Sequence, residues 1–300
     1  MTDPAAAVTA AAAGPAVGAV DLVGWFAHHG RDLPWRRTRD PWAVMVAELM
    51  LQQTQVARVA DRWGPFLDRF PSPAVMAAGP IGAVIGAWAG LGYNRRAANL
   101  HRAAVVMVER YGGRVPEELG DLLALPGIGA YTARAVRVFA FEHDDAVVDT
   151  NVVRILSRVS GRRVEGRAAQ EAADALVPPD HGWTWNQAML DVGAICCRAR
   201  EPRCAPCPFA PRCRWRAAGR PDPDPGRVPA SRRQGRFEGS DRQGRGRLVD
   251  AVRRGPVPAE RLAEVMGWPD DPVRADRVAA AVVADGLVER TPSGFGLPGQ

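Results

Sequence analysis

Four cysteines close together in the second half of the chain could bind a compact metal centre. They follow the spacing C-x6-C-x2-C-x5-C and are Cys197, Cys204, Cys207 and Cys213. Structural zinc sites usually combine two well-separated C-x2-C pairs, and bacterial ferredoxins use C-x2-C-x2-C runs, so neither pattern fits. The unequal loops suit a 4Fe-4S cluster with one thiolate on each iron; a chance grouping of free thiols is the alternative. Thiolate ligands also indicate a reducing compartment.

Two carboxylates lie in contexts that suit acid–base chemistry. Glu48 falls in a stretch that is otherwise apolar from Trp42 to Leu51, which predicts a buried helix. Burial raises the pKa of a glutamate, as a general acid at neutral pH requires, although a salt bridge to an arginine elsewhere is the alternative. Asp149 precedes a predicted helix, where aspartate is a common N-cap. An N-cap also holds a carboxylate rigidly, which suits a developing cation.

A glycine-rich loop separates two predicted helices. Its sequence is Leu125-Pro126-Gly127-Ile128-Gly129. Glycine lets the backbone turn tightly and brings N–H groups close to a ligand, and the following helix directs its positive N-terminus the same way. The loop therefore predicts an anion site at Gly127 and Gly129, suited to a phosphate contact that reads no base sequence.

The basic residues are unusual in type and in distribution. All 39 are arginine, so the chain has no lysine. Enzymes that cleave through a Schiff base need an unprotonated amine, usually a lysine of lowered pKa, so a lysine-dependent lyase is excluded and only the N-terminal amine could take that role. The net charge is +6, and residues 198–254 carry 16 arginines against 6 acidic residues. This basic zone favours phosphate contact over a merely solvated charge run.

The pattern of apolar residues is helical over most of the chain. The predicted helices are 42–60, 81–88, 95–111, 117–124, 130–141, 150–159, 168–176 and 185–196. Residues 217–246 are rich in Gly, Pro, Arg and Asp, which indicates a linker. Three short helices, 248–252, 259–265 and 273–284, followed by a hairpin over 287–297, then predict a small winged-helix-like domain. We expect residues 1–20 to be a disordered tail, and no stretch is apolar enough to span a membrane.

Several motifs in a fixed order resemble those of one enzyme family. They are Asp32-Leu33-Pro34-Trp35-Arg36, Glu48-x-Met50-Leu51-Gln52-Gln53-Thr54-Gln55, Leu91-Gly92-Tyr93, the glycine loop, the V-D-x-N-V-x-R stretch with Asp149, Asn186-Gln187-Ala188-Met189 and the cysteine loop. Together they resemble the adenine DNA glycosylases, or MutY family, of the endonuclease III superfamily. The resemblance implies an all-α, two-lobed helix-hairpin-helix DNA glycosylase fold with a 4Fe-4S cluster loop. The small C-terminal winged-helix-like domain would be added to it.

The resemblance also implies roles for the site residues. Glu48 protonates adenine as general acid, Asp149 stabilises the oxocarbenium-like sugar, and Tyr131 and Asn151 assist. Tyr131 stands where bifunctional relatives carry a lysine nucleophile, which implies a monofunctional enzyme. The residues implied in the adenine pocket and in DNA contact are Trp35, Arg36, Gln53, Thr54, Tyr93, Gln187, Gly127 and Gly129. The resemblance further implies a monovalent cation at the hairpin, and Cys197 rather than the adjoining Cys196 as the first cluster ligand.

These inferences give a domain plan. We predict a catalytic region over residues 21–213, with a six-helix lobe at 42–146 and an iron–sulfur lobe formed by 21–41 and 147–213. A basic linker over 214–246 and the C-terminal domain over 247–300 follow. The expected partner is double-stranded DNA with adenine opposite 8-oxoguanine or guanine. No pattern typical of a Nudix-like domain, which reads 8-oxoguanine in many members, follows Cys213. We expect an intracellular monomer, cytoplasmic and nucleoid-associated, with no membrane partner.

Three other functions fit parts of the pattern. A thymine glycosylase for T:G mismatches is the nearest rival, because some relatives combine this cluster with tyrosine at the hairpin, but Glu48 and the Gln-Gln-Thr-Gln run argue against it. A non-catalytic DNA-binding or cluster-sensing protein is the second. It predicts that loss of the Glu48 and Asp149 carboxylates leaves function intact. An electron-transfer protein is the third, and the cysteine spacing disfavours it.

Overall fold

The computed structural model describes residues 19–222, 224–227 and 236–299, without the side chains of 19–21. Residues 1–18 of the expected tail and residues 223 and 228–235 of the expected linker lie outside the described residues. The described residues form two compact units. The first takes them from Met1–Val44, Glu117–Leu119 and Gly129–Ala230, and the second from Met45–Pro116, Gly120–Ile128 and Ser231–Gln300. The lobe boundaries of the domain plan stay a prediction.

Helices make up nearly all of the regular structure. In chain order the α-helices are α1 (Ala19–His29), α2 (Pro41–Leu51), α3 (Val56–Arg69), α4 (Pro73–Ala78), α5 (Ile81–Ala87), α6 (Arg95–Tyr111), α7 (Leu119–Ala124), α8 (Ala130–Phe141), α9 (Thr150–Ser160), α10 (Gly166–Asp174), α11 (Gly182–Asp191), α12 (Arg214–Ala217), α13 (Asp241–Val252), α14 (Leu262–Met266) and α15 (Pro272–Ala284). Short 3-10 helices occupy Pro34–Arg37, Ala210–Arg212 and Ala259–Arg261, and a π-helical turn, Val192–Cys196, follows α11. The described residues contain no helix that combines the length and apolar character needed to cross a bilayer.

The helix predicted over 42–60 is wrong in one respect, because it is two helices. Helix α2 ends at Leu51 and α3 begins at Val56. Between them Gln53 has φ +57°, which a continuous right-handed helix does not allow. The guanidinium of Arg96 bonds the carbonyls of Leu49, Met50 and Gln52, which could otherwise accept from the next turn. A distant side chain therefore ends α2.

The core of the first unit is built from α1, α9 and α11. Leu22, Ile155, Trp185 and Met189 are almost fully buried in one cluster. The indole Nε1 of Trp25 donates to the carbonyl oxygen of Pro206 at 3.0 Å, which ties α1 to the cysteine loop. The loop thus packs against the cluster that contains α9, the helix that follows the predicted catalytic aspartate.

The second unit ends in a small helical subdomain, residues 236–299 as described, that we call the C-terminal subdomain. It has the three predicted helices, α13, α14 and α15, and the predicted hairpin. Strand β1 (Glu289–Thr291) pairs antiparallel with β2 (Gly294–Gly296), and Val257 forms a further bridge to Phe295. Helix α13 begins at Asp241, inside the segment predicted as linker, because Ser240 caps it by accepting from the Gln243 N–H at 3.4 Å. That this subdomain is a winged helix stays a prediction.

Candidate active site and cysteine loop

Asp149 is the N-cap of helix α9, as its position predicts. One carboxylate oxygen accepts from the backbone N–H groups of Asn151 and Val152, each at 2.8 Å. The other oxygen accepts from the side-chain amide of Asn151 at 2.6 Å. These three bonds fix the carboxylate, which remains partly exposed, so it can still meet a ligand.

A second layer holds Asn151 in place. Its Oδ1 accepts from the guanidinium of Arg154 at 2.6 Å, and Arg154 also donates to the carbonyls of Cys197 and Gly193. Burial lowers the pKa of Arg154 from its usual value despite the nearby Cys197. A Cβ at Gly193 would lie 2.6 Å from that of Asn151, so the π-helical turn needs glycine there. The aspartate is therefore positioned by residues that reach the start of the cysteine loop.

Asp149 opens onto a cavity of about 460 Å³ in the first unit. Tyr131, near the start of α8, lies on the same cavity wall. Val148, Val153 and Val164 give an apolar side, while Arg163 and Arg227 bring positive charge. This volume is in the range of small-molecule sites. The structure thus brings together Asp149 and Tyr131, which the sequence resemblance only implied.

Glu48 lies in helix α2 of the second unit and is 5% exposed. Its neighbours along the helix, from Met45 to Met50, are apolar and at most 1% exposed. The burial expected from the sequence is therefore present. Its role as general acid stays a prediction.

Gln53 and Tyr93 stand at two exposed turns in the second unit. Both have left-handed backbones, with φ +57° for Gln53 and +45° for Tyr93, and 52% of Tyr93 is exposed. Thr54 bridges the turns, because its hydroxyl donates to the Leu91 carbonyl at 3.2 Å. A non-glycine residue at such a φ angle raises the free energy of the folded protein unless neighbouring residues stabilise the conformation.

Arg96 is the group that holds both turns. Its guanidinium donates at 2.6–3.4 Å to the Thr54 hydroxyl and to six carbonyls, those of Leu49, Met50, Gln52, Leu91, Gly92 and Tyr93. Burial lowers its pKa to about 10. Sequence reasoning missed Arg96, although a signal existed: Arg95 and Arg96 open helix α6, where the helix dipole disfavours cations. Such a residue needs a partner elsewhere.

Arg36, predicted to line the adenine pocket, forms a buried ion pair in the first unit. Its Nη1 and Nη2 donate to the two carboxylate oxygens of Asp191, each at 2.8 Å, and Arg31 donates to the same oxygens. Burial alone would raise the pKa of Asp191, but the bonds from Arg36 and Arg31 outweigh it and hold the pKa below its usual value. Sequence reasoning missed Asp191. Among the described residues, Arg36 Nε is buried without a hydrogen-bond partner.

Trp35 and Gln187 belong to the same unit and are 7% and 4% exposed. Both side chains are therefore buried where the sequence predicts a pocket for the base. Contact of Trp35, Arg36 and Gln187 with adenine stays a prediction.

The glycine loop forms a tight turn between α7 and α8. The Ile128 N–H donates to the Leu125 carbonyl at 3.2 Å, and Gly127 has φ +79°. A Cβ at Gly127 would lie 2.6 Å from the Cβ of Asn99. Both the positive φ and the lack of space for a Cβ therefore require glycine at this position. Gly129 caps α8 and faces open space. The backbone geometry suits the predicted phosphate contact.

The four predicted cluster ligands and the adjoining Cys196 line one small cavity, and all five are free thiols. Cys196 is fully buried in the core, consistent with packing, and the other four thiols are partly exposed. Among the described residues, no three His, Cys, Asp or Glu side chains are placed to hold a single metal ion. Cysteine thiolates are the ligands that iron–sulfur clusters take, so the residue types fit the predicted 4Fe-4S cluster, which stays a prediction.

Arg158 connects this loop to its surroundings, and sequence reasoning missed it too. It donates to the Cys197 sulfur at 3.5 Å and to the Arg198 carbonyl at 2.8 Å. It also pairs with Asp224 and lies 4.4 Å above the Trp215 ring. Burial opposes its charge, but the bonds to Asp224 and Cys197 raise its pKa overall. Where a cysteine loop holds a metal centre, bonds of this kind to its sulfurs and carbonyls orient the ligands.

Comparison with known proteins decides the family. The family model described as "HhH-GPD superfamily base excision DNA repair protein" matches residues 46–179. The chain is 44% identical to the adenine DNA glycosylase of Mycolicibacterium smegmatis over 94% of this chain and 96% of that protein. It is 41% identical to the one of Mycobacterium tuberculosis, covering 93% of each. The chain belongs to the adenine DNA glycosylases.

Solved structures agree with this fold. A thermostable thymine-DNA glycosylase matches with a TM-score of 0.64 and 31% identity, covering 66% of this chain and 94% of that one. Endonuclease III trapped on DNA matches with a TM-score of 0.58 and 24% identity, covering 67% of this chain and 94% of that one. At this identity the match supports the fold alone. As an adenine DNA glycosylase, the chain is a hydrolase of base excision repair with the predicted helix-hairpin-helix fold.

Proposed function

We propose that this adenine DNA glycosylase releases adenine paired with 8-oxoguanine or guanine, and leaves the DNA strand uncut. The observation that carries the proposal is the Asp149 carboxylate, fixed by three hydrogen bonds at a cavity that it shares with Tyr131. A base inside a duplex is out of reach, so the enzyme must flip the adenosine nucleotide out of the stack.

The chemistry begins at the base. Protonated Glu48 gives its proton to adenine N7, which makes the base a better leaving group. The bond from C1′ to N9 breaks, the bonding electrons leave with adenine, and the sugar becomes an oxocarbenium-like cation. Burial of Glu48 supports this role because the protonated acid is the form that a buried site favours.

Asp149 stabilises the cation, since a rigid anion is already in place when positive charge develops. The Glu48 carboxylate then takes a proton from water, whose oxygen bonds to C1′, and an abasic site results. Tyr131 assists at the cavity and offers no amine, so the strand is not cleaved through a Schiff base. Asn151 acts by orienting Asp149.

The remaining residues bind DNA and the flipped base. The Gln187 amide oxygen can accept from the N6 amino group of adenine, beside Trp35 and Arg36, which leaves N7 for Glu48. Gln53, Thr54 and Tyr93 support the opened stack, and the Gly127–Gly129 backbone meets a phosphate, with a monovalent cation at its carbonyls. Cys197, Cys204, Cys207 and Cys213 would hold a 4Fe-4S cluster, which would order the basic loop for DNA. We expect a monomer inside the cell.

Single-turnover base release on duplexes containing A:8-oxoguanine, A:G and T:G tests the proposal. We expect adenine release without strand cleavage, and loss of release in Glu48→Gln but not in the matched exposed-site control Glu260→Gln. Thymine release, or full activity in Glu48→Gln, would contradict the proposal. Iron and sulfide analysis of the purified protein should find about four of each per chain, and zinc instead would exclude the cluster.

A further inference from the structure

The C-terminal subdomain contacts the part of the second unit that carries Tyr93. The Pro298 carbonyl accepts from the Gly82 N–H of helix α5 at 3.0 Å. A Cβ at Gly82 would lie 2.6 Å from that carbonyl oxygen, so only glycine allows the approach. At the other end, Arg102 of helix α6 donates to the Asp285 carbonyl at 2.9 Å. Both helices that flank Tyr93 are therefore fastened to the subdomain.

Arg253, at the end of helix α13, makes the contact nearest to Tyr93. Its Nε and Nη2 donate to the Ile85 carbonyl at 3.1 and 2.9 Å, and Nη2 also donates to Oδ1 of Asn94 at 2.9 Å. The side chain is 9% exposed. Ile85 lies in the last turn of α5, where carbonyls lack partners within the helix, so the guanidinium caps that helix.

Asn94 directly follows Tyr93 and opens helix α6. It occupies the N-cap position, yet its side chain makes no capping bond to its own helix. Instead it accepts from Arg253, which belongs to a segment more than 150 residues away. The Asn94 side chain thus bonds the C-terminal subdomain in place of the N-terminus of its own helix.

Tyr93 therefore stands between two arginines. Arg96 bonds the carbonyls of Leu91 and Gly92 on its N-terminal side, and Arg253 bonds Asn94 on its C-terminal side. The turn includes a left-handed, non-glycine residue whose ring is half exposed, a conformation that persists only when neighbours hold it.

We propose that Arg253 is a positioning residue for Tyr93, and that the C-terminal subdomain serves the reaction by fixing the Tyr93 turn for insertion into DNA. This inference rests on the proposed function, in which Tyr93 supports the opened base stack. Residues 236–299 would then preorganise the residue that meets the opened duplex near the opposite base.

The test is a double-mutant cycle in the full-length protein. Single-turnover release from the A:8-oxoguanine duplex is measured for the parent, Arg253→Ala, Tyr93→Ala and the double variant. We expect Arg253→Ala to slow release about tenfold, the effect of one lost charge-assisted hydrogen bond, and to have little further effect when Tyr93→Ala is already present. Asn94→Ala, which removes the acceptor, should behave likewise.

Two further variants separate positioning from folding. Arg261→Ala removes an exposed arginine of the same subdomain, paired with Glu264 at the surface, and should match the parent. Arg253→Lys can still cap the Ile85 carbonyl and should recover part of the rate. A general loss of folded protein would slow release equally in the parent and in the Tyr93→Ala background, so equal factors in the cycle overturn the inference.

The failure of this inference differs from failure of the proposed function. A parent protein that releases no adenine refutes the proposed function and this inference with it. A parent that is active and is slowed by Tyr93→Ala, but not by Arg253→Ala or Asn94→Ala, refutes the inference alone. A parent that is active and unaffected by Tyr93→Ala also overturns it, because the turn would then have no part in the reaction.

Discussion

Replacing Asp149 with asparagine separates the two tasks of that residue. As an N-cap, Asp149 accepts two backbone N–H bonds and one side-chain N–H bond. In Asp149→Asn the amide oxygen keeps the two backbone bonds. The new NH2 group faces the NH2 group of Asn151, so the third bond is lost. The free energy of unfolding should therefore fall by only about 1 kcal/mol.

The effect on catalysis should be far larger. A carboxylate about 4 Å from a developing unit positive charge contributes about 4 kcal/mol at an effective dielectric constant of about 20. Removing that charge should slow base release about a thousandfold, since each 1.36 kcal/mol is about a factor of ten in rate. Single-turnover release of adenine and urea unfolding, measured on the same preparation of Asp149→Asn, give both quantities.

Asp271→Asn is the matched control, because Asp271 caps helix α15 by accepting from the Arg274 N–H at 3.0 Å and lies in the C-terminal subdomain. It should lose a similar amount of stability and keep the parent rate of base release. If Asp149→Asn released adenine within about tenfold of the parent rate, Asp149 would be an N-cap only and the electrostatic argument would be refuted.

Three other substitutions test the supporting structure. Gly127→Ala should weaken binding to duplex DNA at least severalfold, because its Cβ would lie 2.6 Å from that of Asn99, whereas Gly120→Ala, with open space around it, should not; equal affinities in fluorescence anisotropy would contradict the phosphate contact. Asp191→Asn should lower the free energy of unfolding at pH 7 by about 3–5 kcal/mol, because Arg36 loses its buried partner. The pKa of Asp191 is lower in the folded than in the unfolded protein, so its stabilisation is present above the unfolded pKa and is lost as the pH falls through the folded pKa. The free energy of unfolding of the variant, which lacks this carboxyl group, should therefore fall less than that of the parent as the pH is lowered. Arg96→Met should destabilise the protein by at least about 3 kcal/mol in urea unfolding, because six carbonyls lose a charged donor. A smaller loss would mean that the two turns keep their conformation without Arg96.

Local chemistry could be inferred from the sequence because it depends on neighbours along the chain. The N-cap role of Asp149, the burial of Glu48 and the glycine turn at Gly127 follow from helix signals, apolar runs and backbone freedom over a few residues. Helix α6, predicted at Arg95–Tyr111, has those bounds in the structure. The family resemblance likewise rested on short motifs in a fixed order, and the comparisons confirmed it.

Contacts between distant segments could not be inferred in this way. The predicted helix over 42–60 is broken because Arg96, more than 40 residues away, takes the carbonyls at the end of α2. Arg36 was predicted at an adenine pocket, and its bond to Asp191 spans 155 residues. An arginine side chain gives no local sign of which distant partner it will meet.

The sequence by itself determined most of the helices, the cysteine spacing, the lack of lysine and the type and order of the family motifs, because each of these is a property of residue types over short intervals. Only the tertiary structure decided that Tyr131 joins Asp149 at one cavity, that Arg158 holds the cysteine loop, and that Arg253 reaches the Tyr93 turn. The physical reason is that a buried polar group must find a partner wherever the folded chain provides one, and that partner is set by packing.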